Sequence, residues 1–126
     1  MLPRDASLAL LTDLYQLTMA YGYWKHRRHE HEAVFHLTFR KCPFGGAFAL
    51  ACGLHSAIDY LTRWKFTPDD LAFLSTLTDS RGERLFEPAF LEFLGEARFA
   101  CDVDAIPEGT AVFPHEPLVR VQGPLW

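Results

Sequence analysis

The sequence predicts an α+β domain, with helices and one strand first and a small antiparallel sheet or half-barrel last. Three observations carry this. Leu10, Leu14, Leu17, Tyr21 and Trp24 recur at helical spacing. The period then changes to two over Ala33–Arg40. After residue 100, short apolar segments alternate with Pro- and Gly-bearing turn signals. Helices followed by strands, rather than a regular alternation of the two, is the α+β order.

The first helix is expected from about Asp13 to Arg27. Asp13 suits the N-cap, Gln16 takes the capping-box position three residues on, and the basic run Lys25–His29 suits the negative end of the helix dipole. In the strand that follows, Phe35, Leu37 and Phe39 share one face, read as the buried one. His36, Thr38 and Arg40 share the other. Cys42-Pro43-Phe44-Gly45-Gly46 ends it, because Pro removes a donor and the glycines permit positive φ.

Leu54, Ile58, Leu61 and Trp64 mark a second helix. Thr67-Pro68-Asp69-Asp70 starts a third with a hydroxyl cap, a proline at the first helical position and acids in the first turn. A polar turn, Thr78 to Arg84, leads to a short helix near Pro88–Gly95 with Phe90, Leu91 and Leu94 inward. The segments Ala100–Ile106, Ala111–Phe113 and Pro117–Val121 are read as strands, the last two bracketing the turn Pro114-His115-Glu116. No internal repeat or low-complexity tract interrupts residues 1–126, which are read as one domain.

With 126 residues, 49% of them apolar, the chain is long enough to bury a core. A net charge of −4 argues against an electrostatic nucleic-acid binder, and the run Lys25–Arg28 is soon followed by Glu30 and Glu32. No stretch approaches a membrane span. Met1–Asp5 contains an acid and no apolar run of the signal-peptide kind, so a cytoplasmic protein is expected. Cys42, Cys52 and Cys101, odd in number and without a C-x-x-C pair, read as plain small apolar side chains of a reducing compartment.

Two places have the chemistry to bind a flat, anionic ligand. Tyr15 lies off the Leu10–Leu14–Leu17 stripe, near a helix N-terminus. A tyrosine there can stack on a ring with its hydroxyl in water, or simply pack at the helix edge. Arg40 and Lys41 close a strand just before a Gly-Gly loop, where they can hold phosphate or stand as solvated surface charges. Of His26, His29, His31 and His36, the first two flank arginines and His31 stands between two glutamates, and no cysteine lies at zinc spacing, so no metal site is expected. Neither nucleotide-cradle glycine motif occurs, and no catalytic group is identified.

Taken together, Thr12-Asp13-Leu14-Tyr15-Gln16-Leu17-Thr18-Met19, Phe39-Arg40-Lys41-Cys42-Pro43-Phe44-Gly45-Gly46, Pro107-Glu108-Gly109-Thr110-Ala111-Val112-Phe113-Pro114 and Glu116-Pro117-Leu118-Val119-Arg120-Val121-Gln122-Gly123-Pro124-Leu125 resemble, in order, the N-terminal region of nicotinate phosphoribosyltransferases. The resemblance implies an α+β N-terminal domain preceding a large α/β barrel. It also implies formation of nicotinate mononucleotide and pyrophosphate from nicotinate and phosphoribosyl pyrophosphate, with coupled ATP hydrolysis and Mg²⁺, as an entry step to NAD.

The resemblance further implies a head-to-tail homodimer in which one subunit completes its neighbour's site. Tyr15 then matches the aromatic that stacks on the pyridine ring, and Asp13 caps the helix that positions it. Arg40 and Lys41 match the basic strand end that contacts the phosphates of phosphoribosyl pyrophosphate or ATP. The family's catalytic His and barrel cations have no counterpart here, and a barrel alone needs roughly 250 residues. The chain is therefore expected to be the N-terminal piece of a longer or split enzyme, inactive alone. Two other readings stand beside this one. A non-catalytic or regulatory subunit could associate with a full-length relative. A lipoyl-like carrier would need a lysine in the last strands, and none follows Lys65.

Overall fold

The structure, a computed structural model, describes residues 7–126; the Met1–Asp5 start lies outside the described residues. In chain order the elements are helix α1 (Leu14–Lys25), strand β1 (Glu32–Leu37), a 3-10 turn (Pro43–Gly45), β2 (Ala49–Leu50), α2 (Leu54–Arg63), α3 (Pro68–Ser75), α4 (Pro88–Glu96), β3 (Asp102–Ala105), β4 (Ala111–Val112) and β5 (Val119–Pro124). The α+β order of the sequence is thus the observed one. Two compact units emerge. One holds the described residues up to His29 together with Arg63–Phe99 and Trp126, and the other holds Glu30–Thr62 and Ala100–Leu125.

The first unit is helical. Leu17 from α1, Leu74 from α3, and Phe90 and Leu94 from α4 meet Ala9, Phe66 and Phe86 in one buried cluster. Leu10, Tyr21 and Trp24 pack against it, as the helical stripe predicts, but Leu14 is exposed. It sits at the first position of α1. The rings around Phe90 are in close contact, with centroids 5.0 Å away for Tyr21, 5.5 Å for Trp24, 5.6 Å for Phe86 and 6.2 Å for Phe93. Rings at such separations add to the stabilisation from burial itself.

The α3 start follows the sequence closely. Thr67 caps through its hydroxyl, which accepts the Asp70 N–H at 3.3 Å, while Asp70 Oδ2 accepts the Thr67 N–H at 2.7 Å. Each satisfies one backbone donor that the helix leaves unpaired. At the start of α4, Glu87 binds back to α1. Its Oε1 accepts from the Tyr21 hydroxyl and pairs with Lys25 Nζ at 2.8 Å. Lys25 is the main cause holding the Glu87 carboxyl below its usual range.

The second unit carries the sheets. β5 lies between β1 and β3, antiparallel to both, and β2 pairs antiparallel with β4. The predicted strand Ala33–Arg40 ends earlier, at Leu37, which pairs with Val119. Upstream of Val119, Pro117 and Pro114 have no N–H to continue the ladder. The chain is still held there by two bonds: Leu118 N–H to Leu37 C=O and His115 N–H to Phe39 C=O, both 2.8 Å. Phe35 and Leu37, read from the sequence as buried, are exposed. They share a face with Val121 and Val119, and a sheet face is buried only by a second layer.

On the opposite face a polar ladder crosses the strands. Arg120 pairs with Asp104 at 2.8 Å and contacts Gln122, which in turn reaches Glu32. At the end of β5, Gly123 leaves no room for a side chain. A Cβ there would stand 2.7 Å from Cys101 Sγ and 2.9 Å from Cys101 Cα. Gly123→Ala is expected to destabilise by about 1–3 kcal/mol, because a backbone atom must move. Gly22→Ala is the control, since its Cβ would meet nothing within 4 Å and a mid-helix alanine is favoured by about 0.5–1 kcal/mol. Denaturant midpoints that moved alike for both would refute this reading of Gly123.

Candidate functional site

Tyr15 stands on the first turn of α1 with 59% of its surface in water. Asp13 takes the extended backbone of an N-cap (φ −81°, ψ 146°). Its N–H donates to Gln16 Oε1 at 3.3 Å, the same oxygen that accepts from the Thr12 hydroxyl. One bond further along, the Thr18 hydroxyl donates to the Tyr15 carbonyl at 2.9 Å. These bonds fix the turn and leave the Tyr15 ring uncovered. Met19, exposed and four residues on in the same helix, is at the spacing that a helical turn brings beside it, and Leu11 and Leu14 nearby in sequence are exposed as well. An aromatic ring among exposed aliphatic groups suits a planar ligand.

Arg40 and Lys41 stand three and four residues beyond the end of β1 and are both exposed. Among the described residues, the ion pairs Lys25–Glu87, Arg81–Asp79 and Arg120–Asp104 use other cations. The turn that follows departs from the sequence reading. Gly45 does have positive φ (69°), but Gly46 does not (−66°), and the other left-handed residue is Phe44, at φ 56° and ψ 22°. Gly46 N–H donates to Pro43 C=O at 3.1 Å and closes the turn. Two successive left-handed residues under such a bond make a type I′-like turn, in which Asn or Gly is the usual first residue. Phe44 occupies that place with its side chain fully exposed. The Pro-Phe-Gly-Gly spacing signals this turn only when it is counted from the proline.

Nothing in the sequence singles out Glu108 as a site residue, yet it organises the approach to α2. Its Oε1 accepts the N–H groups of Gly53 and His55, each at 3.1 Å. Around it, Gly109 N–H reaches Ala51 C=O at 2.8 Å and Ala51 N–H reaches Thr110 C=O at 2.9 Å. The Pro107-Glu108-Gly109 phrase thus ties the β2–α2 connection to the β3–β4 connection. The donated His55 N–H is the leading cause holding the Glu108 carboxyl below its ordinary value. A carboxyl with a depressed folded-state pKa stabilises fully above its unfolded pKa, about 4.3, and loses that contribution as pH falls through the folded value. Thermal melts below about pH 4 should therefore fall more steeply for the native chain than for Glu108→Gln. Parallel curves would exclude this latch.

Tyr15 belongs to the first unit and Arg40 and Lys41 to the second, where the two cations follow one another directly. Among the described residues, no group of three or more His, Cys, Asp or Glu is placed to hold a metal ion, and no helix is long and apolar enough to cross a membrane.

Comparison with known proteins adds the following. The profile of the nicotinate phosphoribosyltransferase (NAPRTase) N-terminal domain matches residues 10–126. The chain is 45% identical over 123 residues to the nicotinate phosphoribosyltransferase of Bos taurus, and 45% identical over 123 residues to that of Homo sapiens. Each alignment covers 97% of this chain and 22% of the relative, so the chain spans about a fifth of the length of these proteins. The crystal structure of human nicotinic acid phosphoribosyltransferase superposes with a TM-score of 0.78 at 44% identity, over 90% of this chain and 22% of that one.

Proposed function

This chain belongs to the nicotinate phosphoribosyltransferase N-terminal domain family, and from that premise we propose that it supplies substrate-binding surfaces of a nicotinate phosphoribosyltransferase. The reaction joins nicotinate to phosphoribosyl pyrophosphate, releasing pyrophosphate and nicotinate mononucleotide on the way to NAD. Tyr15 stacks on the pyridine ring, and Arg40 with Lys41 holds phosphate. The rest of the site comes from a catalytic barrel, in the same polypeptide or an associated one, within a homodimer whose subunits complete each other. The cytoplasm is the proposed compartment.

The observation that carries this reading is the uncovered Tyr15 ring on a turn whose own hydrogen bonds are already made. A tyrosine whose role was packing would be covered by its own unit. Displacement of pyrophosphate from the ribose builds oxocarbenium-like charge at C1, and the pyridine nitrogen must be held in line with it. Stacking and phosphate clamping supply that orientation, which can account for a large share of the acceleration. Arg40 adds a planar fork of donors and Lys41 a point charge, both facing water and fit to receive a polyphosphate.

Coupled ATP hydrolysis supplies a driving force for nucleotide formation, and Arg40 and Lys41 are suited to its phosphates as well. The described residues do not group into a Mg²⁺ site, so no ligand for that ion is assigned to this chain and no step is routed through it. On its own the chain is proposed to be inactive. Co-expression with a nicotinate phosphoribosyltransferase barrel and assay of nicotinate mononucleotide tests the reading. Product is expected from the assembly and not from either part. An assembly that forms yet makes no product would favour a regulatory subunit instead.

A further inference from the structure

We propose that Gln16 is a positioning residue for Tyr15: its side chain, reaching back across the start of α1, sets where the ring is presented to nicotinate. This rests on the stacking role of Tyr15 given above. A side chain is held in place by what packs around it or by the backbone that carries it. Packing does not hold Tyr15, whose residue is more than half exposed. Among the described residues, the ring contacts of α1 are made by Tyr21 and Trp24, about two turns further on. The buried residue of this helix is Leu17, and residues 11–16 before it are all exposed. The Tyr15 ring therefore rides on backbone that the core does not hold.

Backbone donors at a helix start have no partner inside the helix, and the first turn frays unless a side chain supplies one. Gln16 supplies an acceptor twice over: Oε1 takes the Asp13 N–H at 3.3 Å and the Thr12 hydroxyl. Its own N–H donates to Asp13 C=O at 3.0 Å. The residue next to Tyr15 thus ties the two residues that lead into α1 to its first turn. The same device at α3 serves the fold, since the bonds between Thr67 and Asp70 are partly buried and Leu74 of that helix is in the core. In α1 the bonded residues stand clear of the core, and the side chain they hold in place is Tyr15. Stacking assists the displacement only with the pyridine nitrogen in line with C1, and a misplacement on the order of 1 Å can cost about a hundredfold in rate.

Steady-state kinetics and thermal melts of the assembled enzyme test this. Gln16→Leu keeps the bulk and removes the acceptor. It is expected to lower kcat/KM for nicotinate about tenfold and to leave the KM for phosphoribosyl pyrophosphate unchanged. Gln16→Glu keeps an acceptor in the same place and should retain the parent values. Thr67→Val removes the α3 cap and should lower the melting temperature at least as far as Gln16→Leu does, with kcat/KM for nicotinate unchanged. In a Tyr15→Ala background, Gln16→Leu should cost nothing further. Normal kcat/KM in Gln16→Leu, with Tyr15→Ala impaired, overturns the proposal and leaves the stacking reading standing. An equal loss with and without the Tyr15 ring overturns it too, because Gln16 then acts by another route. Gln16→Glu as impaired as Gln16→Leu has the same force, since the amide itself would be what the site needs. If Tyr15→Ala is as active as the parent, the stacking reading falls and the proposal with it. Should Gln16→Leu fail to assemble, Thr12→Val removes one of the two donors and carries the same expectation, a loss for nicotinate that disappears without Tyr15.

Discussion

Tyr15→Ala in the assembled enzyme is expected to lower kcat/KM for nicotinate about thirtyfold, or roughly 2 kcal/mol of lost transition-state binding. In the proposed stacking role the ring is what matters, so Tyr15→Phe should retain most activity. Arg40→Ala should cost a similar or larger factor, up to about a hundredfold for the phosphate-bearing substrate, because hydrogen bonds to charged groups are among the stronger ones, about 1.5–3 kcal/mol. Both side chains are exposed, so neither change should move the melting temperature appreciably. Steady-state kinetics with each substrate varied in turn gives the answer. Full activity in both alanine variants would remove both roles.

Phe90→Ala should act in the opposite sense, on stability first. Phe90 is fully buried and in contact range of four other rings. Truncation leaves a cavity walled by rigid groups that cannot collapse into it, at about 3–5 kcal/mol. That is a large part of the roughly 5–15 kcal/mol that holds a native domain together. Denaturant unfolding of the chain measures it, and a loss below about 1 kcal/mol would contradict the packing described for the helical unit. The contrast with Phe44 is instructive: the same residue type, substituted by glycine at a left-handed exposed turn, should cost no stability.

The parts of the fold legible in the sequence are those set by neighbours within a few residues. Thr67-Pro68 announces α3 because cap, proline and first-turn acid all act inside one turn. Pro88, Phe90 and Leu94 announce α4 in the same way. The pairing of β1 with β5 is not legible, since nothing in Glu32–Leu37 names a partner so distant in sequence. The period of two correctly separates the two faces of β1, but it does not say whether a second layer covers the apolar one. Glu108 is hidden for a related reason: its bonds to Gly53 and His55 span 55 and 53 positions.

Legibility of the site follows a similar division. Tyr15, Arg40 and Lys41 can be named from side-chain chemistry beside a backbone break, and the structure leaves all three exposed. The left-handed backbone of Phe44 cannot, because Gly45-Gly46 next to it offers two natural bearers of positive φ, and an aromatic residue is an unusual occupant of a left-handed turn position.

The middle place of β5 in its sheet bears on how the chain is made. Glu32 and Gln122, joined across the sheet, lie 90 positions apart. A ribosome adding about 5–20 residues per second needs about 5–20 s to span that gap. Throughout that time β1 lacks its partner and leaves its edge and the Phe35 and Leu37 side chains uncovered, and β3, made only near the end of the interval, also waits for β5. Slow, non-local closure of this kind favours capture by a chaperone or by another nascent chain. The yield of soluble protein should therefore depend on synthesis rate and temperature more than the modest size of the chain would suggest.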